Sequence, residues 1–157
     1  MKFPWKPYAF FILIAEAVGA LSGWLTREGT RIYSTTIQQP PLSPPGFVFP
    51  IVWTILYALM GIGAARVWLN SSGSVRARAI LLFFLQLAVN FFWSLIFFNL
   101  QSFGFSFFWL ILLWLLIFAM FRAFSRADPL AAWLQIPYLL WVAFAGYLNA
   151  GVWFLNR

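Results

Sequence analysis

The chain has 157 residues, of which 64% are hydrophobic and only 8% are charged, and it carries a net charge of +7. A water-soluble domain contains about 25% charged residues, so this composition excludes a soluble globular protein and indicates one domain whose solvent is lipid. The sequence has no histidine or cysteine, which argues against a Ser-His-Asp triad, a thiol nucleophile and a catalytic metal site, while its scattered basic residues argue against nucleic-acid binding.

Five apolar stretches are each close to the roughly 20 residues that a helix needs to cross a hydrocarbon core of about 30 Å. They predict an all-α membrane protein, built as a single bundle of five transmembrane helices. The approximate spans are 8–25, 47–69, 79–100, 104–123 and 130–155. Helices are required because lipid offers the backbone no hydrogen-bond partner. The first stretch contains Glu16 and runs on to Leu25, which favours a span over a cleavable signal peptide.

The connections between these spans are short, except for the first. A polar turn is predicted at 70–74, a tight hairpin ends at Gly104, and Asp128 is the expected cap of a helix that starts at Pro129. The first loop, in contrast, extends over 26–45 and ends in the proline-rich stretch PPLSPP. Long loops without evident structure are commonly functional, so we expect this loop to act as a lid.

Basic residues are divided unevenly between the two ends of the predicted bundle. One end, with the amino terminus, carries Lys2, Lys6, Arg66, Arg76, Arg78, Arg122 and Arg126, and the other carries Arg27, Arg31 and Arg157. Cytoplasmic ends of membrane proteins are enriched in Lys and Arg. The bias predicts a cytoplasmic amino terminus, with the first loop and the carboxyl terminus outside.

Polar side chains recur along one face of the third span. Gln86, Asn90 and Ser94 follow one another at intervals of four residues, which places them on the same side of a helix. They form either an interhelical hydrogen-bond seam, worth about 1 kcal/mol per contact, or a polar stripe inside a cavity. The seam is favoured for Gln86, and both interpretations are open for Asn90.

Two other spans each carry an aromatic face interrupted by a small residue. These faces consist of Trp53, Tyr57 and Gly61 in the second span and of Tyr138, Trp141, Ala145 and Asn149 in the fifth. Such walls leave room for a flat ligand, although Trp and Tyr near span ends are also normal residues of membrane interfaces.

The first span contains two further features. Glu16 lies near its middle with no basic residue at comparable depth, so a structural role is favoured over a functional one, although an ionisable group there is a functional candidate. Gly19 and Gly23 form a GxxxG pair, which permits close helix approach within the bundle or across a dimer.

Three segments resemble the translocator protein family, also called tryptophan-rich sensory proteins, peripheral-type benzodiazepine receptors or TspO/MBR proteins. They are PPLSPPGFVFPIVWTILYALMG, QLAVNFFWSLIFF and IPYLLWVAFAGYLNAGVW, in that order along the chain. The resemblance implies a five-helix bundle, often a homodimer, in a bacterial cell membrane, with a pocket under the first loop. It also implies no required cofactor, and as ligands protoporphyrin IX or another tetrapyrrole, cholesterol-like lipids and synthetic benzodiazepine-site compounds.

The resemblance also assigns residues to this pocket. It places the pocket tryptophans at Trp53 and Trp141, the asparagine at Asn90, the small residue at Ala145 and the lid tyrosine at Tyr33. Some bacterial members are associated with light-dependent breakdown of protoporphyrin, a chemistry tied to these tryptophans, so they are the catalytic candidates. The spacing of the faces adds four further ligand-binding candidates: Tyr57, Ser94, Tyr138 and Asn149.

This chain departs from the family pattern at the proline segment. Gln39 and Leu42 stand where many members have Lys and Trp, so a porphyrin carboxylate would depend on Arg27 or Arg31 or go unpaired. Ala150 replaces the Tyr of the cholesterol-recognition segment of animal members, which argues against sterol binding, although such motifs are weak.

The leading interpretation is therefore an integral membrane binding protein or regulator for tetrapyrroles. The alternatives are a light-dependent porphyrin-degrading enzyme that uses Trp53 and Trp141, a porphyrin or lipid transporter, and a structural protein whose aromatics only pack. Transport is disfavoured because buried charge and paired broken helices are lacking. Binding and photochemistry both remain open at this stage.

Overall fold

The computed structural model describes residues 2–157, and helices account for most of them. The helices are α1 (Trp5–Leu25), α2 (Arg27–Thr36), α3 (Val48–Asn70), α4 (Gly73–Ser94, continued by a π-helical turn at Leu95–Asn99), α5 (Phe103–Ala127), α6 (Pro129–Trp133) and α7 (Ile136–Asn156). Within residues 2–157, five segments are long and apolar enough to cross a membrane: α1, α3, α4 with its π turn, α5, and α6 together with α7. The predicted all-α class with five spans is confirmed.

The segment between the first two spans is more ordered than expected. Half of it is the helix α2, which starts two residues after α1 ends, and the rest is the proline segment, 37–47. Three hydrogen bonds join the proline segment to α7. The backbone N–H of Gln38 donates to Asn156 Oδ1 over 3.1 Å, Asn156 Nδ2 donates to Gln38 O over 2.8 Å, and Tyr147 Oη donates to Pro41 O over 2.6 Å. The carboxyl end of the chain therefore holds the first loop in place.

Small residues bring α1 and α3 close together. A Cβ atom at Gly61 would lie 2.5 Å from the Cα of Ile12, and one at Gly19 would overlap the ring of Tyr57. A Cβ at Gly23 would meet no atom within 4 Å. Gly19, the first member of the GxxxG pair, therefore serves packing within the bundle, because only a residue without a side chain permits this approach.

An ion pair stabilises the opposite end of the bundle, where α5 turns into α6. Asp128 caps α6, as predicted, by accepting the backbone N–H of Leu130 over 3.3 Å. Its other oxygen accepts Arg66 Nε over 2.6 Å and Asn70 Nδ2 over 3.2 Å. One short chain of contacts therefore joins α3 to the start of the fifth span.

Candidate functional site

A cavity of about 490 Å³ lies beneath α2 and the proline segment, in the size range of small-molecule sites. Its walls come from α1, α2, α3, the end of α4 and α7. Eight aromatic side chains dominate the lining: Tyr33, Phe49, Trp53, Tyr57, Trp93, Phe97, Phe98 and Trp141. Such a lining favours a flat, apolar ligand.

Most of the residues singled out in the sequence meet at this cavity. Those that line it are Tyr33, Trp53, Tyr57, Ser94, Trp141, Ala145 and Asn149. Asn90 and Tyr138 are buried but are not part of the lining. The structure thus places them behind the cavity wall rather than on its surface.

Asn90 and Tyr138 belong to a buried hydrogen-bond chain. Tyr57 Oη donates to Asn90 Oδ1 over 2.8 Å, Asn90 Nδ2 donates to Tyr138 Oη over 2.7 Å, and Tyr138 Oη donates to Gln86 Oε1 over 2.7 Å. Gln86 Nε2 in turn donates to the carbonyl of Phe83 over 3.0 Å. The seam interpretation therefore describes both Gln86 and Asn90. Because the seam engages its hydroxyl, Tyr57 offers the cavity its ring.

Trp53 on α3 and Trp141 on α7 both line the cavity. The ring centroid of Trp53 lies 5.5 Å from that of Tyr57 and 6.2 Å from that of Tyr138, and Phe49 contacts Trp141 nearly edge-on at 5.9 Å. Within residues 2–157 neither indole N–H has a hydrogen-bond acceptor, whereas Trp93 Nε1 donates to Asn149 Oδ1 over 3.0 Å. Trp53 and Trp141 are therefore fixed by packing alone.

Asn149 makes three hydrogen bonds within the protein. Its Oδ1 accepts Trp93 Nε1 and, over 3.1 Å, Ser106 Oγ, and its Nδ2 donates to Phe103 O over 2.8 Å. These bonds join α7 to α4 and α5. Asn149 therefore positions the Trp93 wall and has little hydrogen-bonding capacity left for a ligand.

No ionised side chain lines the cavity in the part of the chain that the structure describes. Arg27 donates to the carbonyl of Trp24 over 2.6 Å, and Arg31 pairs with Glu28 on the exposed side of α2. The hydrogen bond from Arg31 lowers the pKa of Glu28, and burial raises the pKa of Tyr33 to about 12. The arginines considered for a porphyrin carboxylate are thus engaged outside the cavity, and Tyr33 is a neutral phenol.

Several lining residues were missed in the sequence, above all Trp93, Phe97 and Phe98. Trp93 and Phe97 stack with centroids 4.9 Å apart, and Tyr33 contacts Phe97 and Phe98 at 5.4 Å each. For Phe98 the sequence did contain a signal. Phe98 lies four residues after Ser94 and therefore continues the predicted polar face of the third span by one helical turn.

The chain is similar over nearly its whole length to known proteins of one family. The sequence profile of the TspO/MBR family matches residues 11–154. The tryptophan-rich protein TspO of Chlorobaculum tepidum is 38% identical over 94% of this chain and 94% of its own length. Protein CrtK of Rhodobacter capsulatus is 38% identical over 95% of this chain and 92% of its own. The translocator protein of Bos taurus is 35% identical over 98% and 92%.

Proposed function

The chain belongs to the TspO/MBR family of integral membrane proteins, and from this premise we propose that it binds porphyrins and related flat hydrophobic ligands in the cavity beneath α2. The observation that supports this proposal is the cavity of about 490 Å³, whose lining includes the indoles of Trp53 and Trp141. A planar aromatic ligand gains both buried area and ring contacts between such walls, and aromatic pairs add roughly 0.5–1.5 kcal/mol each.

Ala145 offers the sharpest test of this location. It is buried, it lines the cavity, and it lies one helical turn from Trp141. A leucine at this position would occupy ligand space, and overpacking costs typically 1–3 kcal/mol. We therefore expect Ala145→Leu to weaken binding about tenfold or more.

The experiment is a titration of the purified protein with protoporphyrin IX, followed by quenching of tryptophan fluorescence. Ala143→Leu is the matched control, because Ala143 lies on the same helix but is exposed on the outside of the bundle. Unchanged affinity in a folded Ala145→Leu variant would place the ligand elsewhere, and absence of saturable quenching in the wild type would contradict the proposal.

A light-dependent enzyme is the second candidate, and the two unbonded indoles favour it. Indole is readily oxidised, so an excited porphyrin in contact with Trp53 or Trp141 can accept an electron from it. We expect Trp53→Phe and Trp141→Phe to retain most of the porphyrin affinity, because an aromatic ring remains, but to lose light-driven change in the porphyrin spectrum. A wild type that binds porphyrin but shows no spectral change under illumination would exclude this candidate and leave the binding function in place.

We further propose a homodimer in a bacterial cell membrane, with the amino terminus in the cytoplasm. The unequal distribution of basic residues supports the orientation, and the family resemblance supports the dimer. Reporter fusions at the two ends should give signals from opposite sides of the membrane. Both ends on the same side would contradict an odd number of spans.

A further inference from the structure

We propose that the cavity selects uncharged planar ligands, so that a porphyrin binds better as a neutral ester than as a dicarboxylate. This inference rests on the proposed function and narrows its ligand class. The polar groups that the wall offers are hydroxyls and amides, such as those of Ser22, Thr30 and Gln39. No lining residue within 2–157 supplies a cation that a carboxylate needs as its partner.

Two cations lie on α2, beside the residues of that helix that line the cavity. Thr30 and Ser34, four residues apart, face the cavity together with Tyr33. Arg27 and Arg31 form the neighbouring stripe of the same helix, and both side chains are exposed. At about 100° per residue, Arg27 lies only about 20° from Ser34 around the helix axis, so the two arginines border the cavity-facing stripe without lining the cavity.

Both arginines also have partners on the outside. The Arg27 guanidinium lies over the ring of Trp24, 4.4 Å from its centroid, and donates to the Trp24 carbonyl over 2.6 Å. Arg31 donates from two of its nitrogens to the same carboxylate oxygen of Glu28. Either arginine would have to abandon these contacts to reach a ligand in the cavity.

The wall also carries two phenols, of which Tyr57 donates its hydroxyl to the buried seam and Tyr33 stays neutral. Burial against Phe97 and Phe98 raises the pKa of its phenol to about 12. A carboxylate that entered this lining would lose its hydration without gaining an ion pair, which is strongly unfavourable. An uncharged ester of the same ring system keeps the aromatic contacts and avoids this penalty.

The test compares protoporphyrin IX with its dimethyl ester on the full-length protein in nanodiscs. Only the part of the signal that is lost in Ala145→Leu is counted. This subtracts the signal from ester that has partitioned into lipid. We expect the ester to bind at least about tenfold more tightly than the diacid near neutral pH. Saturable binding of both compounds with equal affinity, or tighter binding of the diacid, would overturn this inference and leave the proposed function intact. Absence of saturable binding for both would contradict the two together.

A variant that adds a cation to the cavity wall tests whether the lack of a cation causes the selectivity. Gln39→Lys introduces a cation at the proline segment on the cavity wall, and we expect it to shift the ratio of the two affinities toward the diacid by about tenfold. Ser74→Lys is the control, because it adds the same charge at an exposed position at the start of α4, and it should leave the ratio unchanged. An equal shift in both variants, or none in Gln39→Lys, would refute the missing cation as the basis of selectivity.

Discussion

The buried seam between α3, α4 and α7 predicts a specific loss of stability when its central amide is removed. Asn90 accepts the Tyr57 hydroxyl over 2.8 Å and donates to the Tyr138 hydroxyl over 2.7 Å. Asn90→Leu keeps a side chain of similar size but has no polar atom. Tyr138 retains its bond to Gln86, whereas Tyr57 is left with a buried hydroxyl that has no acceptor.

The magnitude follows from these lost contacts. Interhelical hydrogen bonds in membrane proteins contribute on average about 0.6 kcal/mol each, so the two lost bonds account for about 1 kcal/mol. A stranded buried polar group adds about 1–3 kcal/mol. We therefore expect Asn90→Leu to lower the free energy of unfolding by about 2–4 kcal/mol.

A double-mutant cycle isolates the stranded hydroxyl. Tyr57→Phe deletes the group that Asn90→Leu leaves unpaired, so the double variant should be at least about 1 kcal/mol more stable than the sum of the single effects predicts. The measurement is unfolding in mixed detergent micelles for the wild type, both single variants and the double variant. Additive effects would refute the reasoning, because they would show that the two side chains do not interact.

The cycle has an internal control in the exposed hydroxyl of Tyr147. That group donates to the carbonyl of Pro41 and shares no partner with Asn90. Tyr147→Phe combined with Asn90→Leu should therefore be additive. Equal coupling in the two cycles would indicate a general loosening of the bundle rather than a specific hydrogen bond.

Other parts of the fold yield three further predictions. Asp128→Ala should lower the free energy of unfolding by about 2 kcal/mol or more, because it removes the helix cap and leaves Arg66 without its partner. Asp128→Asn should lower it less, since an asparagine can still cap the helix. Equal losses of stability for the two variants in detergent unfolding would contradict the role of the cap. Gly61→Ala should destabilise by about 1–3 kcal/mol because its Cβ would lie 2.5 Å from the α1 backbone, whereas Gly146→Ala, with no atom within 4 Å of its Cβ, should be neutral or stabilising; similar thermal midpoints for the two would refute the close approach. Burial raises the pKa of Tyr33 from 10.0 to about 12. The contribution of the neutral Tyr33 side chain to the free energy of unfolding should therefore be complete below pH 10 and be lost as the pH rises through about 12. A tyrosinate absorbance titration in which Tyr33→Phe removes a component near the ordinary pKa would contradict this burial.

The helix α2 was not predicted from the sequence, which indicated a loop there. Its ten residues, REGTRIYSTT, include β-branched Thr and Ile and a glycine, which are modest or poor helix formers. The helix is held by tertiary contacts instead. Tyr33 packs on Phe97 and Phe98, and a Cβ at Gly29 would lie 2.7 Å from the Phe98 carbonyl oxygen. The sequence of the loop alone gives no indication of these contacts.

The sequence by itself determined the solvent, the helical class and the number of spans, because hydrophobicity and length must match the bilayer whatever the packing. It also determined which residues share a helix face, since that depends only on the helical repeat. Trp53 with Tyr57, and Trp141 with Ala145, are pairs found in this way that do line the cavity.

Only the tertiary structure decided which part of each face reaches the cavity. Asn90 and Ser94 share one face of α4, yet Asn90 is buried in the seam while Ser94 lines the cavity. The two positions differ by about 6 Å along the helix axis, and what each one meets depends on how α3 and α7 are rotated and placed beside it. Those placements follow from close contacts such as that of Gly61 with Ile12, which join residues far apart in the chain and leave no mark in its local periodicity.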